Sequence, residues 1–209
     1  MAVKIKTDLK LVIDDLSMLL VQKTPIEVGA GNTITINPDY ELPVTVDTLQ
    51  TTGGEPTISH YKVIGLDADW TSSSTPGEWT VQFTVPTMHT DVMEFAFGED
   101  AVNALGTVTS TAVIEKNGSA SSELILPAGD GFTWAGSVVG LTAHKITCSL
   151  IIANGAKDKL VIFRTVDLYA HVMKEANGDP YCIQFNGTVT SDGTNDMMVL
   201  YKNAVSSGD

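Results

Sequence analysis

The chain has 209 residues, of which 43% are hydrophobic and 18% charged, and its 25 acidic and 12 basic residues give a formal charge of −13. This composition is too apolar for a disordered chain, and the length suits one buried core, so we expect residues 1–209 to form a single domain. Arg164 is the only arginine. Because phosphate clamps and base readers depend on arginine, adhesive nucleic-acid binding is not expected. Plain solubility explains the acidic charge equally well.

No apolar stretch approaches the roughly 20 residues that a membrane helix needs. The best candidate, residues 9–21, is interrupted by Asp14 and Asp15. These carboxylates also spoil the segment as the core of a signal peptide. We therefore expect no membrane span and a protein that is made and folded in the cytoplasm.

The N-terminal segment fits two kinds of secondary structure. Apolar residues recur there at the spacing of a helical stripe: Leu9, Val12, Ile13, Leu16 and Leu20. A strand over residues 10–14 is the alternative. Residues 1–30 are thus predicted to form an N-terminal arm or a helix, and the polar residues 203–209 a loose tail.

After residue 30, turn residues separate short β-prone segments, which is typical of a sandwich or barrel. The clearest strand covers residues 78–85, where Trp79, Val81, Phe83 and Val85 alternate with polar residues. Further strands are predicted at residues 33–36, 41–49, 58–66, 107–114, 121–126, 132–139, 145–153, 159–174, 181–190 and 197–201. Residues 71–77 are rich in Ser and Thr and are predicted as a loop.

Asn-Gly pairs predict turns between these strands, because both residues tolerate a positive φ. The pairs begin at Asn117, Asn154 and Asn177. A short helix is predicted to begin at Thr90 or Asp91, whose side-chain oxygens can accept orphan backbone N–H groups, and to end near residue 98. The sequence therefore predicts a mainly β fold, a sandwich or barrel with one or two short helices.

No group of residues matches a known catalytic or metal motif. None of the four histidines belongs to a GxSxG elbow or an HExxH helix. The histidines fall in different segments: His60, His89, His144 and His171. Cys148 and Cys182 lie in apolar runs without zinc-ligand spacing, so free thiols are expected, with a disulfide as the alternative. We therefore predict no catalytic residue, no metal, no cofactor and no enzymatic activity.

Two features point to ligand binding. Asp67 and Asp69 stand two residues apart near a predicted strand end, which places both carboxylates on one side of a strand and suits glycoside hydrolysis or calcium. A solvated loop edge is the simpler interpretation. Trp70 borders a loop and could stack on a sugar, whereas Trp79 belongs to the apolar face of its strand and is expected in the core.

Three blocks of the sequence together resemble phage major tail tube proteins. The first block is residues 61–69, YKVIGLDAD, and the second is residues 77–87, GEWTVQFTVPT, with the short helix after it. The third covers residues 146–153, then 154–157, NGAK, then 161–170 and 181–189. Their order is similar to that family's strand, strand, helix and late strands, over residues 58–190.

This resemblance implies a β-sandwich of the tail-tube type with one helix, which closes into hexameric rings that stack into a hollow tube. The same fold occurs in the tubes of contractile injection systems and type VI secretion. The resemblance implies a structural protein located in the virion tail, whose partners are copies of itself and other tail proteins: the tape measure, the tube terminator and the baseplate, with a sheath as a further candidate. DNA would pass through the lumen without specific binding.

The charge of the chain suits such a conduit. Duplex DNA carries roughly one negative charge per 1.7 Å of axis, so a wall rich in lysine and arginine would act as a brake. Six copies at −13 each would carry −78 per ring. We therefore hypothesise that carboxylates from the strands line the lumen and ease the passage of DNA.

Two other functions are compatible with the sequence. One is a carbohydrate-binding β-sandwich of a phage or bacterial surface adhesin, with Trp70 and the Asp67/Asp69 pair as its site. The other is a hydrolase whose site is assembled from distant strands. Images of rings or tubes would favour the tail tube, and uniform monomers that bind to a glycan array would favour the adhesin.

Overall fold

The computed structural model describes residues 13, 16–65, 67–104, 113–116, 119–124, 137–174, 176, 178–191 and 196–202, with the backbone alone for 16, 104, 113–116 and 119–124. The protein is mainly β, with 51% strand and 7% helix, which confirms the predicted class. It divides into two compact units, Met1–Met88 with Lys145–Asp209, and His89–His144.

The described residues contain the following strands in chain order: β1 Leu16–Gln22, β2 Tyr40–Leu42, β3 Gln50–Gly53, β4 Thr57–Tyr61, β5 Thr71–Thr75, β6 Trp79–Val85, β7 Val102–Ala104, β8 Val113–Lys116, β9 Ser119–Leu124, β10 Ser137–Val139, β11 Lys145–Asn154, β12 Lys159–Met173, β13 Cys182–Val189 and β14 Met197–Tyr201. The described residues also contain one α-helix, α1 Thr90–Phe97, and a 3-10 turn, Glu99–Ala101.

The first unit is built on a curled half-barrel sheet of eight strands. Its order is β2-β1-β11-β12-β13-β6-β3, with antiparallel pairing throughout. The 15-residue β12 organises the sheet, because one of its edges pairs with β11 and the other pairs first with β14 and then with β13. Strands β2, β3 and β14 each have one edge that pairs with no other described strand.

A β-bulge in β12 keeps one face of the sheet apolar along its length. Arg164 and Thr165 of β12 lie opposite the single Ser149 of β11. The extra residue shifts the alternation of side chains, so Phe163 before the bulge and Val166 after it point to the same face, and both are buried. We call this face the core face.

The core face holds the bulkiest buried side chains of the sheet. The rings of Phe83 and Phe185 stack with centroids 4.9 Å apart, and both residues are fully buried. Strand register places further buried residues on this face: Leu19, Val21, Leu42, Val81, Val85, Ile146, Cys148, Leu150, Ile152, Val161, Leu168 and Ile183. Removal of this apolar surface from water is the main stabilising contribution to the sheet.

Residues 23–37 cover part of the opposite face. Ile26 of this segment packs against Ile151 and Ile162. The Ser149 hydroxyl accepts the N–H of Ile26 at 2.8 Å and donates to the carbonyl of Arg164. The Nε of Arg164 donates to the carbonyl of Ile26 at 2.8 Å, so the only arginine of the chain fastens this segment to the bulge.

The second unit carries the helix and two small two-stranded pairs. Strand β7 pairs with β10, and β8 pairs with β9 around the predicted turn at Asn117, which itself lies outside the described residues. Helix α1 confirms the predicted helix, although its N-cap is His89, whose Nδ1 accepts the N–H of Asp91 at 3.3 Å. The helix ends at Gly98, where φ is +93°, a conformation that glycine adopts without steric cost. Among the described residues, no helix is long and apolar enough to cross a membrane.

The predicted helix at the N-terminus is wrong over residues 16–20. Leu16 and Leu20 belong to β1, which pairs with β11 on one side. The helical spacing is outweighed here by pairing within the sheet, where Leu19 and Val21 are buried on the core face. The alternative strand at residues 10–14 and the tail at 203–209 lie outside the described residues, apart from residue 13, which is in no strand.

Other boundaries also differ from prediction. Residues 33–36 form only an isolated bridge at Ile34. Ile34 and Ile36 pack their side chains on the sheet, and their backbone does not pair with a described strand of it. The strand predicted over residues 41–49 ends at Leu42. The predicted loop at residues 71–77 is a strand over Thr71–Thr75, because its backbone pairs with Thr57–Tyr61. The late strands β11 to β14 agree with prediction within about two residues.

Candidate functional site

A polar surface five strands wide occupies the second half of the sheet, opposite the core face. Residues that pair directly across antiparallel strands point to the same face, and the register places two rows side by side. One row consists of Thr147, Asp167, Thr188, Thr80 and Thr52, and the other of Lys145, Tyr169, Asn186, Gln82 and Gln50. We call these residues, together with the neighbouring His171 and Gln184, the polar face.

The polar face is open to solvent and carries almost no net charge. The residues on β3 and β6 and most of those on β11 and β12 are exposed, and those on β13 are half-buried. Its one carboxylate, Asp167, pairs with its one ammonium group, Lys145, at 2.7 Å. A flat layer of amides and hydroxyls of this kind can hydrogen-bond to water or to a partner without a strong electrostatic preference.

Asp167 is the most constrained side chain of the polar face. Thr147 donates a hydrogen bond to one of its carboxylate oxygens at 2.7 Å, and Thr190 donates to the other at 3.0 Å. Burial acts to raise the pKa of this carboxyl group, but the hydrogen bonds from Lys145, Thr147 and Thr190 outweigh it and lower the pKa. The hydrogen bond to Asp167 in turn raises the pKa of Lys145. The cluster fixes the side-chain positions at this end of the face.

A groove of about 630 Å³ lies beside this cluster. Its lining includes Trp79, Glu78 and Asp196. The sequence placed Trp79 in the core, but 37% of its surface is exposed, although its ring still contacts Phe163 at 5.8 Å between centroids. Trp79 therefore ends the core face at the rim of the sheet and does not lie inside it.

A two-stranded hairpin, β4 and β5 with the residues between them, continues from the β3–β6 pair, where the Gly54 N–H donates to the Glu78 carbonyl at 2.8 Å. Strands β4 and β5 pair only with each other among the described strands, and all of their residues are exposed. Tyr61, Val63 and Ile64 near its turn are 55%, 44% and 103% exposed. Apolar side chains without cover on a protruding element are typical of a protein–protein contact.

An apolar groove of about 490 Å³ opens on the first unit, where Met173, Cys182 and Thr84 continue the rows of the polar face at His171 and Gln184. Its lining includes Val44, Val46, Pro86, Met173, Pro180 and Cys182, with Asp179 among its polar residues. Val46 is 82% exposed, so the groove is open to an incoming group. We call this cavity the apolar groove.

The residues proposed for a sugar site lie on the hairpin. The side chain of Trp70 is exposed, with 68% of the residue accessible to solvent. Its backbone N–H donates to the backbone carbonyl of Tyr61 across the hairpin. Asp69 faces His60, with 2.6 Å between its Oδ2 and the His60 Nδ1. The Nζ of Lys62 is 4.0 Å from the other Asp69 oxygen. Asp69 is thus engaged with His60 and Lys62 within the hairpin.

The histidines and cysteines are dispersed. His89 caps α1, His171 lies on the polar face, and both cysteines are free. Burial, helped by the charge of Asp167, raises the pKa of the Cys148 thiol to about 12, so this thiol is unreactive at neutral pH. The part of the chain that the structure describes contains no group of three or more His, Cys, Asp or Glu residues suited to hold a metal ion.

In comparison with known proteins, the chain matches no protein-family model and no curated protein sequence.

The sequence predicts four of the five strands of the polar face, all except β3, but not the face itself. The alternation of Thr80 and Gln82 with apolar residues in β6 was readable, and Gln184, Asn186 and Thr188 in β13 show the same pattern. Nothing in the sequence shows that these two strands are neighbours. The hairpin was missed because β5 consists only of Ser and Thr, residues that favour loops.

Proposed function

We propose that this protein is a phage major tail tube subunit, whose copies close into hexameric rings and stack into a tube that conducts DNA, with the polar face lining the bore. The polar face carries this proposal. A sheet that leaves one half of one face polar and bare across five strands is suited to line a water-filled channel, since interior surfaces of large barrels are polar.

The open sheet edges supply a means of assembly. Unpaired edges invite pairing with other chains unless they are blocked, and β2, β3 and β14 each offer one. On β14, Met197, Val199 and Tyr201 are 39%, 43% and 53% exposed. Pairing along such edges would extend the curled sheet from one copy to the next.

The proposed bore is polar and not acidic. The carboxylates on described strands are few: Glu41, Glu115, Glu123 and Asp167. Asp167 is already neutralised by Lys145. DNA would therefore pass along the wall mainly because the polar face offers no cluster of cations to hold its phosphates. Repulsion by carboxylates would contribute less.

Assembly is tested by negative-stain images of the purified full-length chain over a range of concentrations. We expect six-fold rings and stacked tubes. A chain that stays monomeric at high concentration, with no partner protein able to seed assembly, would rule the proposal out.

The position of the bore is tested with lysine pairs. Gln82→Lys with Asn186→Lys adds two cations to adjacent positions of the polar face, and Thr33→Lys with Thr35→Lys adds two at exposed positions outside it. In phage carrying these variants, we expect the first pair to slow genome ejection and the second to leave it unchanged. Equal ejection by both would place the bore elsewhere.

The second candidate function is a carbohydrate-binding module of a surface adhesin. The 68% exposure of Trp70 favours it, because an uncovered indole can stack on a sugar ring. A glycan array tests this with the wild-type chain and Trp70→Ala. Binding that is lost in the variant would support the adhesin, and an array without signal would remove it.

A further inference from the structure

We propose that the tip of the hairpin of one copy docks into the apolar groove of a neighbouring copy, with Ile64 entering the groove and Lys62 meeting Asp179. This inference rests on the proposed self-assembly and names the two surfaces that meet. Because the two surfaces differ, the contact is head-to-tail, the kind that generates closed rings or continuing fibres.

The apolar tip of the hairpin is uncovered in the part of the chain that the structure describes. The hairpin is held to the large sheet through the β3–β6 pair, where the Gly54 N–H donates to the Glu78 carbonyl, but no residue of β4 or β5 is buried. Its tip nevertheless presents Tyr61, Val63 and Ile64 together. Apolar tip residues become favourable once a partner removes them from water.

The apolar groove has the matching chemistry. Val44, Val46, Met173 and Pro180 give it aliphatic walls, and a volume of about 490 Å³ is larger than one branched side chain needs. Because Ile64 of the same chain is completely exposed, the groove is not filled by its own hairpin. Every copy of the chain carries both a tip and a groove, so in a solution of this protein each groove has one tip of another copy available to it.

Charge also favours this pairing. Lys62 is 66% exposed at its side chain and reaches Asp69 only at 4.0 Å, so it can turn toward a partner. Asp179 belongs to the lining of the groove and is exposed. In a chain of charge −13, a lysine brought to an acidic rim reduces the repulsion between copies.

The native Cys182 in the groove allows a direct test. Ile64→Cys places a thiol on the tip, and copper phenanthroline as oxidant takes two hydrogens from the two thiols to form a disulfide. Cys148 does not interfere, because it is fully buried. We expect assembled Ile64→Cys protein to give dimers and a ladder of larger species on a non-reducing gel, which a reductant abolishes.

Two matched variants control the crosslink. Ile64→Cys with Cys182→Ser removes the receiving thiol and should give no ladder. Ile58→Cys places the thiol near the base of the same hairpin, where 55% of the isoleucine is exposed, and should also give none. A ladder that persists in the first control would overturn the docking site.

Charge reversal provides a second test that does not depend on a thiol. Lys62→Glu and Asp179→Lys should each raise the critical concentration for assembly by about tenfold or more, and the double variant should restore most of the loss. Circular dichroism of each variant checks that the fold is intact. Singles without effect, or a double variant no better than the worse single, would contradict the pairing.

The two proposals fail in different ways. Wild-type tubes that form normally while Ile64→Cys gives no crosslink and the charge variants assemble unchanged would end the docking proposal and leave the tube subunit standing. A wild-type chain that never assembles would end both.

Discussion

Hydrogen bonds between strands fix the side chains at one end of the polar face. Asp167 receives hydrogen bonds from Thr147, Thr190 and Lys145. Lys145 and Thr147 belong to β11 and Thr190 follows β13, so the cluster joins β11 and β12 to the end of β13. On the same side of the sheet, Ser149 uses its one hydroxyl to accept from Ile26 and to donate to Arg164.

We expect Asp167→Asn to flatten the dependence of stability on pH. The pKa of Asp167 lies below its ordinary value of 3.8 in the folded chain, so its contribution is present above about pH 4 and is lost as the pH falls through the folded pKa. The pKa of Lys145 lies above 10.5, so its contribution is present below that pH and is lost as the pH rises through the folded value.

Melting temperatures from about pH 2 to about pH 12 measure this effect. The wild type should lose more stability than Asp167→Asn at both extremes, and Glu55→Gln, at an exposed loop position, should follow the wild type. Parallel curves for wild type and Asp167→Asn would show that the cluster does not contribute.

At the scale of elements, the pairing of β12 with β13 determines which of their side chains lie on the core face and which on the polar face. Gly187 of β13 lies against β12 at a point where there is no room for a side chain. A Cβ at this position would lie 2.5 Å from the backbone oxygen of Asp167 and from the Cδ2 of Leu168. The close approach of the two strands therefore requires glycine.

Gly187→Ala is expected to destabilise the chain by about 1–3 kcal/mol, because backbone and core atoms must shift. Urea unfolding measures the change. Gly140→Ala serves as the control, since a Cβ there would come no closer than 3.7 Å to Ala101 and should be tolerated. An equal loss of stability in both variants would mean that the contact at Gly187 relaxes easily.

At the scale of the whole molecule, net charge opposes the proposed assembly. Each copy carries −13 and six copies would carry −78, so rings form only if contacts outweigh this repulsion. The Debye length, beyond which salt largely screens the interaction between exposed charges, is about 10 Å at 0.1 M and about 3 Å at 1 M ionic strength. Assembly should therefore be easier at higher ionic strength.

We expect the critical concentration for ring and tube formation to fall as sodium chloride rises from about 0.05 M to about 0.5 M. Sedimentation velocity follows the assembled fraction, and sucrose at matched osmolality controls for excluded volume. A critical concentration that rises with salt would indicate that attraction between opposite charges, and not apolar contact, dominates the interface.

The sequence by itself determined the β class and the position of α1, β6 and the late strands β11 to β14. Residues 79–85 alternate apolar and polar side chains, which specifies a strand without reference to any partner, and α1 and the late strands β11 to β14 follow from equally local signals. These features are local because side-chain period and turn residues act within a few positions of one another.

Tertiary structure decided which strands are neighbours, and with them both candidate surfaces. Leu16–Gln22 is a strand because β11 and β2 pair with it, and Thr71–Thr75 is a strand because Thr57–Tyr61 does. The bulge at Arg164 reverses which residues face the core. Such outcomes depend on hydrogen bonds between segments far apart in the chain, and a one-residue change of register moves every side chain to the other face.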